Sequence, residues 1–479
     1  MGLRSVEEYK KSLVDGRSVY YRGQLVPDVT AHRHLGVAVE HASIDYAVAE
    51  NPLYRDLATI RGPEGALYSR YYHLPSSAED LLQRSRLIET CTRLGGTLVT
   101  LIKEIGTDAL SALHLVAMAT DEKFGTGYLP RVREFFDYCR SHDLALAVAQ
   151  TDVKGDRSKG PSEQADPDLY VHVVEETSDG IIVRGAKVHT SVSVNANEII
   201  VLPTRAMAEG DKSYAVAFAV PANTKGLTLI ASSYSEAPVG REFDYPLSSR
   251  HQMVETLTVF DNVFVPWNRV FLKGEWAMAG HLAKTFVDFH RFTAISYKLP
   301  LVDLLLGSAE LMADYNGVTK ASHVRDKITW LVAYAETLRA LVKMAALECS
   351  MRNGIAVPSV LISNMAKWHF AQHYHDALFR VQDIAGGLLV TAPAGEDVAS
   401  AALGSDIRKY LAGRGVDGEN RLRAINLVKE LTTSDFAGYQ AVLAVHAEGS
   451  IEAEKLAVLR EHDSRKFISL AKEMCGIKS

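Results

Sequence analysis

The chain has little cysteine: four residues in 479, Cys91, Cys139, Cys349 and Cys475, with no C-x-x-C or C-x-x-x-C pair among them. Four scattered thiols do not make a disulfide scaffold. They suit a reducing compartment, so a cytoplasmic protein is expected. They also argue against a zinc or iron–sulfur site built mainly of thiolates. No run reaches the roughly 18 apolar residues that a membrane helix requires. Basic residues are not in excess. Lys and Arg number 52 against 58 Asp and Glu, a net charge of −6, which gives no footprint for nucleic acid or an anionic membrane. The opening MGLRSVEEYKKSLVDGR is charged and amphipathic and has no apolar leader core. Val6 stands where a myristoylation signal needs Ser or Thr. No internal repeat or low-complexity tract appears.

What remains is a globular composition, 47% hydrophobic and 23% charged, long enough for two or three domains. From about 76 to 142 the pattern is helical. SSAEDLLQRSRLIETCTRLGG opens on a capping signal and closes on a glycine pair. Residues 1–143 read as a mostly helical domain with an irregular N-terminal arm. Over 144–275 the period shortens. LYVHVVEE, IIVRGAKVHTSVSV, NEIIVLPT, YAVAFAVP, LTLIASS and ETLTVFDNVFVP alternate and are rich in Val, Ile and Thr, and TSDG is a hairpin signal. These six strands predict a small β-sandwich or barrel. Residues 276–479 are helical again, with long helices over about 278–316, 324–354, 360–387 and 420–449, which suggests a four-helix bundle. The fold class is α+β.

Two tempting motifs fail. GRGVDG at 413–418 has the spacing of a dinucleotide fingerprint but follows the polar, helical SDIRKYLA rather than a buried strand, so it reads as a helix–helix loop. His369 and His373 share a helix face, but no H-E-x-x-H arrangement surrounds them. They read as the polar face of a bundle helix.

Three stretches carry more weight. QTDVKGDRSKGPSEQADPDLYV is a long polar loop in which Lys154, Arg157 and Lys159 alternate with glycines. Glycines let backbone amides approach an anion, and the cations supply charge and forked donors. GAKVHTSVSVNANE gathers Thr190, Ser191 and Ser193 around His189, the small hydroxyls that a flavin's pyrimidine edge requires. FHRFTAISYK then places His290, Arg291, Tyr297 and Lys298 in an apolar helix. Residues seven apart lie on nearly one face. His290 therefore pairs with Tyr297, and Arg291 with Lys298. On spacing alone such a histidine is more often structural than functional.

Together, TDVKGDRSKGPSEQADPDL, VRGAKVHT, VFDNVFVPWNRVFL, LMADYNGVTKASHVRDK and DIAGGLLVTAP resemble the 4-hydroxybutyryl-CoA dehydratase family. That family shares a superfamily with the reduced-flavin-using 4-hydroxyphenylacetate 3-monooxygenases. The resemblance runs from about residue 50 to the C-terminus. It implies an acyl-CoA dehydrogenase-like fold: N-terminal helices, a middle β domain and a C-terminal four-helix bundle. It further implies bound FAD and a homotetramer built on the bundle helices. FAD contacts would fall on Thr151, Lys154, Arg157, His189 and Thr190, with Gly386 and Gly387 serving the cofactor of a neighbouring subunit. Glu255 matches a family active-site carboxylate, His290 the histidine of the reaction centre, and Lys298 a nearby lysine.

The dehydratases also hold a four-iron cluster through a C-x-x-x-C pair in the N-terminal helices, the histidine, and a cysteine seven residues after it. Here the first stretch is RLGGTLVTLIKEIGTDAL, without cysteine, and the last position is Tyr297; a family tyrosine is Ala294. One imidazole does not hold a four-iron cluster, so FAD without iron is expected. Two activities follow. The first is a reduced-flavin monooxygenase, supplied by a separate flavin reductase and acting on a small phenolic or electron-rich substrate. His290 would deprotonate or orient the substrate hydroxyl, Tyr297 would hydrogen-bond, and Arg291 and Lys298 would bind a carboxylate. The second is a redox-neutral acyl-CoA dehydratase or Δ-isomerase using His290 or Glu255 as base.

Overall fold

The computed structural model describes residues 2–62 and 65–477. Its β part is a sandwich of two sheets. The larger runs in the order Gln24–Val26, Val19–Tyr21, Leu227–Ser232, Glu255–Pro266, Gly180–Lys187, His172–Glu176. The smaller runs Val270–Lys273, Val216–Pro221, Glu198–Val201, Leu146–Ala149. Phe218 from the small sheet meets Phe260 from the large one edge to face, ring centres 5.8 Å apart, and marks the core between them. All six expected strand segments are present, and Thr177 closes the TSDG hairpin by bonding the Gly180 carbonyl at 2.8 Å.

Four strands of the sandwich, Val19–Tyr21, Gln24–Val26, Leu146–Ala149 and Val270–Lys273, lie outside the sequence reading. Leu146–Ala149 pairs in parallel with Glu198–Val201, and both are buried along their whole length. A strand covered on both faces shows no alternation. Val19–Tyr21 joins the large sheet in parallel with Leu227–Ser232, so the N-terminal arm is built into the β sandwich. IIVRGAKVHTSVSV was expected to be strand throughout, but the strand stops at Lys187 because His189 and Val192 take left-handed backbone, each at φ +55°. A bulge at Asp261–Asn262, with Asn262 at φ +50°, bends the longest strand.

The helical part is organised by Trp276–Tyr315, a helix of 40 residues and therefore about 60 Å long. The N-terminal helices Ala78–Leu94 and Glu104–Phe124 pack along it, as do the bundle helices Ser322–Leu347 and Val360–Ala385. The helix expected to reach 354 ends at Leu347. Asn353 and Gly354 then take φ +49° and +80° and turn a short hairpin, the Asn-Gly chemistry of a tight β turn. The last expected long helix is broken in two. Ser434 caps a second helix, Asp435–His446, after Gly418–Thr432 has ended. GRGVDG links Gly404–Tyr410 to Gly418–Thr432 and follows no strand. No helix among the described residues is long and apolar enough to cross a membrane.

Helix Glu104–Phe124 meets the small sheet closely at Gly106, where an added Cβ would stand 2.1 Å from Leu146 Cβ. Neither the fixed helix nor the buried strand can give way there. Gly106→Ala is expected to lower stability by about 1–3 kcal/mol through overpacking, read from urea unfolding of the purified protein. Gly438→Ala, with open space at its Cβ, is the control and is expected to be neutral or stabilising.

Candidate active site

His290 is buried on the long helix, its ring stacked on Phe286 with centroids 5.2 Å apart and planes 15° from parallel. Its Nδ1 lies 3.0 Å from Asp108 Oδ2. Asp108 comes from helix Glu104–Phe124, and its other oxygen accepts from Arg84 at 2.8 Å and from the Thr293 hydroxyl at 3.0 Å. Arg84 holds Asp108 as a carboxylate, and a carboxylate only accepts. Nδ1 of His290 therefore carries a proton, and in the neutral ring the lone pair is on Nε2. Asp108 and Arg84 were missed from sequence. The available signal was a lone Asp inside the apolar EIGTDALSALHLVA.

Tyr297, two turns on, lines a narrow cleft with Thr97, Leu98, Val99, Leu301 and Gln440. Its wall at Thr97–Val99 belongs to the loop between helices Ala78–Leu94 and Glu104–Phe124. Gly96, Thr97 and Leu101 all take left-handed backbone there, at φ +61°, +72° and +64°. For Thr and Leu this costs roughly 1–3 kcal/mol each and persists only where neighbours enforce it. A wider, open hollow elsewhere, lined by Leu311, Tyr315, Val416 and Leu427, contains none of the candidate residues.

Arg291 and Lys298 do share a face, but both turn to the segment after helix Asp435–His446. Arg291 Nε donates to the Glu448 carbonyl at 3.1 Å, and Nη1 bonds the Asn364 side-chain oxygen. Lys298 Nζ meets Glu448 Oε2 at 3.1 Å and stands 4.2 Å from the centre of the Tyr297 ring. Lys367 completes the group, 3.2 Å from Glu454 and 3.8 Å from Glu448. Burial, with Lys367 nearby, pushes the Lys298 ammonium well below its ordinary range. Burial and the Glu454 charge push Glu448 well above its own. Both cations are paired within the chain, and Lys298 also lines the cleft beside Tyr297.

Glu255 opens the longest strand. Tyr439 donates to its Oε1 at 2.7 Å and Ser191 to its Oε2 at 2.8 Å. Burial raises its pKa against the lowering effect of these two hydrogen bonds. Tyr439 stacks on Tyr234, centroids 4.6 Å apart. Beside Glu255, Thr190 exchanges backbone hydrogen bonds with Thr256, both 3.1 Å. The Thr190 hydroxyl is buried and has no partner among the described residues. Val188 N–H donates to the Thr151 carbonyl at 3.0 Å, which brings Thr151 alongside His189 and Thr190. Lys187 clamps that junction, donating to the Gln150 and Leu202 carbonyls at 2.8 and 2.9 Å and to Asp152 at 2.5 Å.

Lys154 and Arg157 are exposed on the glycine-rich loop. Gln164 sets its path through two bonds to the Asp156 backbone, 3.0 and 2.9 Å. Gly155, at φ +48°, is required there, since a Cβ would lie 2.5 Å from Gln164 Oε1. Burial and the neighbouring Arg157 and Arg205 charges lower the Lys154 pKa, so three cations share one corner. Gly386 and Gly387 end helix Val360–Ala385 on an exposed surface, with nothing of the described chain within 4 Å of the missing side chains. His369 and His373 pack against Tyr334 with ring centroids 5.4 and 6.4 Å from it. Among the described residues no group of three His, Cys, Asp or Glu could hold a metal ion.

Residues 5–272 match the family model 4-hydroxyphenylacetate 3-hydroxylase N terminal, and residues 279–476 match its C-terminal counterpart. The chain belongs to this hydroxylase family. It is also 32% identical to 4-hydroxybutyryl-CoA dehydratase/vinylacetyl-CoA-Delta-isomerase of Clostridium aminobutyricum, over 99% of this chain and 100% of that protein. It is 30% identical to the 4-hydroxyphenylacetate 3-monooxygenase oxygenase component of Thermus thermophilus, over 88% and 87% of the two chains. Among solved structures, an oxygen-tolerant archaeal 4-hydroxybutyryl-CoA dehydratase from N. maritimus superposes with a TM-score of 0.92 at 33% identity, covering 100% and 96% of the chains. The oxygenase component of a 4-hydroxyphenylacetate 3-monooxygenase complexed with FAD gives 0.90 at 27% identity over 98% of each. Glutaryl-coenzyme A dehydrogenase, at 14% identity and a TM-score of 0.50, shares the fold. The expected acyl-CoA dehydrogenase-like architecture is thereby established.

Because Glu255 is raised, its charged form opposes folding at neutral and alkaline pH. This penalty vanishes below the unfolded-state pKa, where the group is protonated in both states. Glu255→Gln is therefore expected to melt at or above the wild-type temperature at pH 8, with the gap closing as pH falls toward 4. Thermal melts of the two proteins across that range check it.

Proposed function

We propose that this chain is the oxygenase component of a two-component, FAD-dependent monooxygenase acting on a small phenolic or electron-rich substrate. The carrying observation is the donor set around His290. An imidazole held by Asp108 lies two turns before a phenol, Tyr297, which lines a cleft walled by Thr97, Leu98 and Val99 and free of thiols among the described residues. Cys91 is the thiol nearest that loop in sequence. It is fully buried, and burial with Asp45 and Glu104 nearby pushes its pKa well up. These residues do not fit a four-iron cluster, and no step is routed through one.

They do fit a flavin. The unpartnered, buried hydroxyl of Thr190 and the left-handed turn at His189 provide a polar cradle. Thr151 sits beside it, and Lys154 and Arg157 provide the charge for a diphosphate. Bound FAD, reduced by a separate reductase, supplies the two electrons that divide O₂ between a hydroxylated substrate and water. The chain's own residues set the geometry. His290 Nε2 accepts the substrate hydroxyl proton, and Asp108 holds Nδ1 so that the ring keeps its orientation. Tyr297 offers a second hydrogen bond from the cleft. Glu255, held by Tyr439 and Ser191, forms the polar floor next to Thr190. Arg291 and Lys298 anchor the Glu448 segment, and Lys298 also lines the cleft. Exposed Gly386 and Gly387 suit contact with the cofactor of a second subunit in a homotetramer.

The full-length likeness to the Clostridium dehydratase, together with Glu255, His290 and Lys298, favours a second reading, redox-neutral chemistry on an acyl-CoA. The two are separable. The holoenzyme, reduced anaerobically and mixed with a phenol and O₂, is expected to yield a catechol-type product and to leave vinylacetyl-CoA unchanged under argon. Isomerisation of that thioester without hydroxylation would overturn the proposal, as would about four irons per chain in anaerobically purified protein. His290→Asn is expected to cut hydroxylation by about 10²–10⁴-fold, the usual contribution of a positioned acid–base group, while FAD titration by fluorescence is unchanged.

A further inference from the structure

His41 and His251 lie outside the machinery described so far. His41 is buried on helix Leu35–Ala42, and His251 precedes the longest strand. Their Nδ1 atoms are 3.3 Å apart, and His41 Nε2 lies 3.0 Å from the Val99 carbonyl oxygen. Burial lowers both rings, His41 to about 4 and His251 to about 3, so both are neutral at physiological pH. The tautomers then follow. A carbonyl only accepts, so His41 carries its proton on Nε2 and its lone pair on Nδ1. His251 must donate from Nδ1.

The same two rings lie against two consecutive glycines. A Cβ on Gly95 would stand 2.6 Å from His41 Cε1, and a Cβ on Gly96 2.6 Å from His251 Cδ2. The loop that follows is the left-handed one at Thr97 and Leu101, whose residues Thr97, Leu98 and Val99 wall the cleft beside Tyr297. Two other side-chain bonds tie it to distant segments. Gln440 donates to the Thr97 carbonyl at 3.3 Å, and Thr100 donates to Asp45 at 2.7 Å. On its other side His251 accepts at its carbonyl from Tyr234 at 3.4 Å, and Tyr234 stacks on Tyr439, the partner of Glu255. The imidazole pair therefore joins the Glu255 side of the site to the loop opposite the long helix.

We propose that His41 and His251 are positioning residues: the hydrogen-bonded pair holds the left-handed Gly95–Leu101 loop in place and so sets the shape of the cleft that selects the substrate. Neither ring exchanges protons with substrate. The inference rests on the cleft being the substrate site of the proposed hydroxylase, but its backbone readout does not require turnover.

The test uses the FAD-loaded full-length protein and three variants. His251→Leu removes the donor to His41, and His251→Asn keeps an N–H near the Nδ1 position. His41→Gln keeps a donor toward Val99. In His251→Leu, amide hydrogen exchange over residues 95–101 is expected to accelerate by about fivefold, the change given by loss of one hydrogen bond. KM for the phenol should rise by a similar factor while kcat stays within about twofold. His251→Asn and His41→Gln should recover most of both. Unchanged exchange in His251→Leu overturns the proposal, as does a loss of kcat at constant KM, or equal behaviour of the Leu and Asn variants. If wild type hydroxylates no phenol, the hydroxylase reading fails, and the exchange measurements still decide the role of the pair. If His251→Leu does not fold, exchange and KM in His251→Asn and His41→Gln decide it, and near-wild-type values are required.

Discussion

The site depends on one buried carboxylate. Asp108 sits between two helical layers, and each of its oxygens is committed: one to His290, the other to Arg84 and Thr293. An unpaired charge at that depth would cost several kcal/mol. Arg84, which also bonds the Glu104 carbonyl and the Thr107 hydroxyl, makes it tolerable. The same bonds lock the N-terminal helices to the long helix and fix the tautomer of His290. Domain packing and the acid–base chemistry proposed for His290 thus rest on a single set of contacts.

A second buried charge group solves a different problem. Lys298, Lys367, Arg291, Glu448 and Glu454 sit together where the chain leaves helix Asp435–His446 and enters Ile451–Glu461. Such networks add little net stability over apolar packing, but removing one partner is costly. Their effect here is directional. Glu448 sits at φ +58° and Gly449 at φ +112°, and the ion pairs hold that turn so that Tyr439 and Gln440 of the preceding helix reach Glu255 and Thr97. A face that looks in sequence like an anion-binding pair is in the folded chain an anchor for its own C-terminal segment.

Within this fold, chemistry is set by a few positions on a common frame. The chain superposes almost equally well on a dehydratase and on a monooxygenase. In this chain neither the loop at Gly95–Leu101 nor Tyr297, seven residues after His290, offers a thiol. With no thiolate in either place, the imidazole has a carboxylate partner and a free nitrogen, and the loop is shaped by backbone strain and by the His41–His251 contact.

Much of this was legible in the sequence. Periodicity alone separated the helical ends from the alternating middle. The strings that hold Thr151, His189, Trp267, Tyr315 and Gly386 carried the family, and the missing cysteines were visible as such. The rest needed three dimensions. Leu146–Ala149 gave no strand signal because a strand buried on both faces does not alternate. His189 and Val192 ended a strand that the alternating pattern extends, because their backbone turns left-handed. Asp108, Arg84, Tyr439 and His41 lie between 24 and 210 positions from the residues they serve. Whether Arg291 faces a substrate or Glu448 is not encoded in its neighbours along the chain. Local sequence determines which backbone forms and which chemical groups are available. The pairing of buried charges is a property of distant segments, and it decides which of those groups remain free to react.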